Sequence, residues 1–317
     1  MALKQLQSLY NMMFDRPPAP PSTEEERYLA ELKATFRDLP PIDASDVPPS
    51  EAEWMGRMAR LRELVLRDDP RRFLRWDVVA RTMFIRFAKY LPIELRFLKS
   101  RPDWTTRYRE AIRESTVGHP VRSIFHTQSS GNLIHHAYHS AIFEERTGEL
   151  MTDSALVFEF GGGYGSLCRL FFNLDFTGRY VIFDLPEFSA LQRYYLQTLG
   201  LPVVSPAEFS EQPSEIACVS DVNELRSVLA GEGGNSRRLF IGTWSISESP
   251  VHVRERLLPL IAHFERYLIA YQHRFNEVDN VRYFDAWKKS VGKVDWQEWE
   301  IPHMPGNSYL LGVRQPG

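Results

Sequence analysis

The segment Leu156-Val157-Phe158-Glu159-Phe160-Gly161-Gly162-Gly163-Tyr164-Gly165 constrains the fold more than any other stretch of this chain. Its first half is an apolar run with the length of a buried strand, and four glycines then force a tight turn before a helical pattern opens near Ser166. Glycine admits positive φ and lets backbone approach a ligand closely. Strand, turn and helix in that order open a parallel sheet covered by helices.

The chain beyond the turn repeats that alternation. Strands are expected at Leu156–Phe160, Tyr180–Phe183, Ile216–Val219, Leu239–Thr243 and Tyr267–Tyr271, with helices at Ser166–Phe172, Pro186–Leu199, Val222–Leu229 and Val251–Phe264. An aromatic helix from Asp279 to Lys289 precedes Trp296–Ile301 and Tyr309–Arg314, whose Pro302, Pro305 and Gly306 separation suits an antiparallel hairpin. The fold class is therefore α/β over 151–317, a Rossmann-like and mostly parallel seven-stranded sheet ending in an antiparallel hairpin.

Residues 1–150 read differently, as a helical cap or substrate-binding region. Leu3, Leu6, Tyr10 and Met13 recur at helical intervals, Ser22 with Glu25 and Ser50 with Glu53 make capping boxes, and Trp54, Met58, Leu61 and Val65 share one helix face. Helical periods continue through 73–99, with Pro92 ending one segment or starting the next.

At the glycine turn, the free N–H groups of the following helix suit a carboxylate, and Glu159 supplies negative charge to an ammonium. Asp184, about twenty residues on and followed by Leu185, suits two ribose hydroxyls. That pairing describes an amino acid joined to a nucleoside, as in S-adenosylmethionine, gripped through Glu159, Gly161, Gly163, Gly165, Asp184, Leu185 and Thr243. Asp221, ending the third strand, serves either the adenine or the N-cap of the next helix. A dinucleotide fits less well, because Ser166 stands where a third glycine belongs and Glu159 would face a pyrophosphate.

Taken together with Gly131-Asn132-Leu133-Ile134-His135-His136-Ala137-Tyr138-His139, Thr243-Trp244-Ser245-Ile246-Ser247-Glu248-Ser249-Pro250 and Tyr267-Leu268-Ile269-Ala270-Tyr271-Gln272, the glycine turn resembles the sugar O-methyltransferase family of bacterial glycan and natural-product clusters. The resemblance spans approximately residues 120–285. It implies a class I methyltransferase fold, with S-adenosylmethionine as cofactor, and a hydroxyl acceptor; the acceptor expected is a sugar or a glycosylated or phosphorylated metabolite.

A sugar hydroxyl is a poor nucleophile near neutral pH, and a positioned base contributes roughly 10²–10⁴-fold. His136 and His273 are the candidate bases, with Glu248 placed to orient one of them. His135, Trp244, Tyr271 and Gln272 are candidate acceptor ligands, through a ring face for Trp244 and hydrogen bonds for the others. Each has a plainer role open to it: packing for the histidines and Trp244, a helix-start carboxylate for Glu248. On a helix His135 and His139 share a face while His136 points elsewhere. A metal on His135 and His139 lacks a third ligand, so none is assigned.

Charge is lopsided: residues 57–122 hold 17 Arg or Lys against 8 Asp or Glu in a chain of net charge −3. That excess either coats solvated helices or attracts a phosphorylated substrate. No nucleic-acid motif accompanies it. No apolar run reaches the roughly 20 residues of a membrane span, and two cysteines without paired spacing fit a reducing cytoplasm. The N-terminal helix suits docking, including a homo-oligomer. Besides the sugar hydroxyl, a carboxylate, amine or phenol of a natural product is an alternative acceptor, and a catalytically silent assembly partner is the reading outside enzymes.

Overall fold

The computed structural model describes residues 2–13, 15, 17–42, 49–209, 212–230 and 237–315. They form two compact units that do not follow chain order. The first takes Met1–Ala141, Gly163–Leu174 and Pro186–Leu201; the second takes Ile142–Gly162, Asp175–Leu185 and Pro202–Gly317.

The second unit is built on one sheet, whose strands are numbered here: β1 Leu156–Phe160, β2 Arg179–Phe183, β3 Val203–Val204, β4 Ile216–Val219, β5 Arg238–Thr243, β6 Arg266–Gln272, β7 Val294–Glu300 and β8 Asn307–Arg314. Their spatial order is β7-β8-β6-β5-β1-β2-β4-β3. The six strands from β6 to β3 run parallel, and β8 enters antiparallel between β6 and β7. This is the Rossmann-like architecture expected, with eight strands rather than seven. The addition, β3, is two residues at the sheet edge and too short for a sequence signal.

Every residue of β1 is buried, as befits a central parallel strand. Leu156, Phe158 and Phe160 join Val181, Phe183, Phe240 and Ile269 in the main core, where each fully buried large side chain contributes about 1.5–3 kcal/mol. Val157 and Glu159 alternate to the opposite face. The helices Val222–Ala230, Val251–Ile261 and Asn280–Val291 supply core residues including Leu225, Leu257, Ile261 and Phe284.

The first unit is mainly helical, with one short antiparallel strand pair at Arg122–Ser123 and His126–Ser130. Ser22 caps the helix Thr23–Asp38, its Oγ accepting from the Glu25 amide at 3.1 Å. The helix Pro49–Arg67 buries Met58, Leu61 and Val65 as expected, while the side chains of its Ser50 and Glu53 lie outside the described residues. Helical order over 73–99 is interrupted: a 3-10 turn at Pro70–Arg75 and a helix at Asp77–Thr82 precede a non-helical stretch, and Pro92 sits in the first turn of Leu91–Ser100. The helix Gly131–Thr147 explains that break. Asn132 Oδ1 accepts from Ile85 N at 2.7 Å and its Nδ2 donates to Met83 O at 2.9 Å, and a Cβ on Gly131 would strike the Ile85 carbonyl. Side-chain bonds thus hold residues 83–85 out of the helical ladder.

Candidate functional site

The parallel strands of the second unit end along one edge of its sheet, the edge that binds ligands in open α/β folds. Register aligns these ends: Phe160 of β1 pairs with Phe183 of β2, Phe183 with Val219 of β4, and Thr243 of β5 with Ala270 of β6. Glu159, Asp184, Asp221, Thr243 and Gln272 therefore come from neighbouring strand ends.

Glu159 is the most unusual of them. The residue is 4% exposed, and among the described residues its only hydrogen bond comes from the Tyr180 hydroxyl, at 2.9 Å to Oε2. Tyr180 is paired in register with Val157, so its phenol reaches along the sheet to the carboxyl one step further on. Burial raises the Glu159 pKa to about 8, against a smaller opposing effect from Tyr180, and Asp184 adds repulsion. Among the described residues no cation meets this carboxyl.

The glycines above it are sterically required. A Cβ on Gly162 would lie 2.9 Å from Glu159 Oε2 and 2.6 Å from Ile182, while one on Gly161 would strike the Ser245 side chain. Gly161 is left-handed at φ 73° and its N–H donates to Phe183 O at 2.8 Å. The turn then enters the first unit, with Gly163 and Gly165 at φ 59° and 88°. Gly165 precedes the helix Ser166–Asn173, whose first amides have no side-chain cap. Within the second unit, a turn closed to Cβ atoms at Gly161 and Gly162 above a buried carboxyl fits the ammonium of an amino acid.

Asp184 is half-buried, and its Oδ1 accepts from the Leu185 amide at 2.8 Å; Leu185 is 42% exposed. Asp221 is exposed and caps the helix Val222–Ala230, accepting from Asn223 N at 2.8 Å and Glu224 N at 3.0 Å. The capping role left open in the sequence is therefore real. Thr243 is half-buried at the end of β5.

Beyond Thr243 the backbone is strained. Trp244 adopts φ 62°, a left-handed value uncommon for a bulky side chain, and is held there by N–H donation to Ala270 O at 2.6 Å and by Nε1 donation to Asn307 Oδ1 at 2.7 Å. Ser245 Oγ donates to the Phe160 carbonyl, tying this turn to the end of β1. Sequence reasoning gave Ser245 no role, although it sits inside a recognised motif.

Glu248, Gln272 and His273 occupy the same strand-end side. Gln272 Nε2 donates to Glu248 Oε1 at 3.4 Å, Ser247 Oγ donates to Gln272 Oε1 at 3.1 Å, and His273 Nε2 lies 2.9 Å from Ser308 Oγ. Beneath them lies fully buried Arg254, which donates to Ser249 O, Asn280 Oδ1 and Ser247 O at 2.7–2.8 Å. Burial pushes its pKa down. Arg254 and Asn280 were both missed. The signal existed: Arg254 occupies the apolar face with Leu257, Leu258 and Ile261, at i, i+3, i+4 and i+7.

Two acceptor candidates are placed otherwise than the sequence suggested. Tyr271 is 1% exposed, and its hydroxyl bonds Glu298 inside the core rather than at a rim; burial, with Glu298, raises its pKa. His135 is 5% exposed, its Nδ1 2.8 Å from Glu94 Oε1, with the His139 ring 4.2 Å away on the shared helix face. Both are occupied by packing partners. His136 points elsewhere, as the helical period required; burial of its ring lowers its pKa to about 3, which keeps it neutral at pH 7. Among the described residues no group of His, Cys, Asp and Glu is arranged to hold a metal ion, and no helix is long and apolar enough to cross a membrane.

No protein-family model and no curated protein sequence matches the chain. Solved structures similar to it include the magnesium protoporphyrin IX methyltransferase of Synechocystis PCC 6803 with bound SAH, at TM-score 0.36 and 12% identity over 71% of this chain and 100% of that one. Methanococcus jannaschii fibrillarin, a pre-rRNA processing protein, aligns at TM-score 0.36 and 14% identity over 52% and 70%. A precorrin-6y C5,15-methyltransferase from Geobacter metallireducens aligns at TM-score 0.35 and 10% identity over 56% and 87%. Function has to be read from the residues.

Proposed function

We propose that this chain is an S-adenosylmethionine-dependent O-methyltransferase acting on a hydroxyl of a sugar or sugar-containing small molecule. The observation that carries the reading is Glu159, a buried carboxyl with a raised pKa directly under a glycine turn and bonded, among the described residues, only to a phenol. S-adenosylmethionine brings an ammonium for that carboxyl, ribose hydroxyls for Asp184, and an electrophilic methyl group. Gly161, Gly163 and Gly165 keep the turn free of Cβ atoms, and Leu185, Asp221 and Thr243 complete the strand-end contacts.

On the acceptor side, His273 and Glu248 are the second unit's candidates to accept the hydroxyl proton, and Gln272 holds the Glu248 carboxylate by hydrogen bond. Trp244, fixed at both its amide and its indole nitrogen, offers a rigid ring for an apolar sugar face. His136, neutral at pH 7, is the first unit's candidate, though a base with so low a pKa retains a proton weakly.

Calorimetric titration with S-adenosylmethionine and S-adenosylhomocysteine tests the cofactor. Saturable binding of both is expected, weakened about 10–100-fold by Asp184→Ala. A folded chain that binds neither defeats the proposal. Product mass spectrometry on hydroxyl, carboxylate, amine and phenol acceptors then decides the acceptor class, because a carboxylate needs no base and would survive His136→Ala and His273→Ala.

A further inference from the structure

We infer that Tyr180 is a positioning residue for cofactor recognition, its phenol fixing Glu159 Oε2 so that Oε1 is the oxygen left to receive the ligand's ammonium. The inference rests on the methyl-transfer reading and adds to it a residue that acts through another.

Sheet register makes the arrangement. Glu159 on β1 stands opposite Ile182 on β2 and Ile241 on β5, so its direct cross-strand neighbours are apolar. Tyr180 pairs with Val157 and therefore lies on the same face, one diagonal step from Glu159. Such diagonals measure about 7–8 Å, a span that aromatic side chains bridge. Tyr180 is 0% exposed, and its ring meets the Phe176 ring edge-on, with centroids 6.2 Å apart and planes at 89°, which fixes the aim of the hydroxyl. That hydroxyl donates to Glu159 Oε2 at 2.9 Å.

The same oxygen is closed off by the glycine turn. A Cβ on Gly162 would lie 2.9 Å from Oε2, and Gly162 has no positive φ, so contact rather than backbone conformation is what requires glycine there. Oε2 is thus held between a phenol and the turn, while among the described residues nothing bonds Oε1. Capture of an ammonium asks for an ionised carboxyl with an oxygen to spare. A phenol suits that need because it is a neutral donor: it stabilises the anion without cancelling its charge. A lysine or arginine in its place would complete the ion pair and leave nothing for a ligand. Tyr180 and Asp184 are the titratable groups that act on Glu159; the phenol opposes the effect of burial, and Asp184 adds to it. Loss of the phenol therefore moves the ionisation of Glu159 to higher pH.

The test is calorimetry on the full chain, comparing wild type with Tyr180→Phe. The probes are S-adenosylhomocysteine and 5′-methylthioadenosine, which lacks the amino-acid end. The amine of S-adenosylhomocysteine also titrates between about pH 7 and about pH 9.5, so the ratio of the two proteins' affinities is read at each pH. A hydrogen bond to an ionised group is worth about tenfold or more in an equilibrium constant. Tyr180→Phe should accordingly bind S-adenosylhomocysteine about tenfold more weakly near pH 7 and within about twofold of wild type near pH 9.5, with its affinity for 5′-methylthioadenosine unchanged. Incorporation of 3-fluorotyrosine at position 180, a stronger donor of nearly the same size, should strengthen S-adenosylhomocysteine binding near neutral pH; it decides the matter should circular dichroism show Tyr180→Phe unfolded. A ratio that does not change with pH, an equal loss of 5′-methylthioadenosine binding, or a fluorotyrosine protein indistinguishable from wild type would each overturn the inference. Folded wild type that binds no S-adenosylhomocysteine at any pH would instead defeat the methyl-transfer reading beneath it.

Discussion

Glu114 in the helical unit and Glu159 in the sheet unit are both carboxyl groups taken out of water, 6% and 4% exposed, yet their surroundings differ in kind. Glu114 is met by the guanidinium of Arg169, which also donates to Tyr195 Oη at 3.1 Å and to Arg113 O at 2.8 Å. Glu159 is met by a neutral phenol and repelled by Asp184. The first carboxyl has its cation within the chain, at Oε1, although its buried Oε2 has no hydrogen-bond partner among the described residues. The second is a half-built ion pair, and a fold tolerates that desolvation cost where a ligand supplies the missing cation.

That contrast predicts opposite signs for similar substitutions. Removing the Glu114 carboxylate strands a buried guanidinium, so Glu114→Ala should lower unfolding free energy by about 3–5 kcal/mol in urea titration. Glu159→Gln should instead stabilise the chain by about 1–2 kcal/mol at pH 8.5 while abolishing cofactor binding. The sign follows from the raised pKa. The folded state keeps a proton that the unfolded state releases between pH 4.5 and about 8, so the stability this group contributes is complete below 4.5 and lost as pH rises to 8. Glutamine escapes that loss, and its advantage should vanish near pH 4.5. Cofactor binding to wild type should strengthen as pH rises through 8, because the ammonium needs the ionised carboxyl. A destabilised Glu159→Gln at pH 8.5 would mean that the carboxyl already has an internal cation.

The strand ends were legible because period and glycine spacing act locally. Leu156–Phe160, Ile216–Val219 and the terminal hairpin form from their own apolar runs and turn residues, within a residue or two of expectation. What the sequence concealed depends on residues far apart. Asn132 stops the helical pattern at 83–85 from a distance of 47 positions, and Arg254 reaches across to Asn280. Tyr271 and His135 carry polar atoms that look available in sequence, but their side-chain directions deliver them to Glu298 and Glu94. Chemistry-bearing residue types are visible in a sequence; which way each one faces is decided by packing.

Asp221 is where the two kinds of carboxylate meet, since it is exposed, already bonded to two amides, and also at a strand end that the cofactor reading uses. Losing an N-cap carboxylate costs about 1 kcal/mol, so Asp221→Ala should lower stability by that amount and Asp221→Ser, another good cap, should restore most of it. Cofactor affinity separates the roles. Should the side chain also accept a hydrogen bond from the adenine amino group, Asp221→Ser will remain several-fold weaker in S-adenosylmethionine binding although its stability has recovered. Equal recovery of both would confine Asp221 to capping and leave ligand recognition to Glu159 and Asp184.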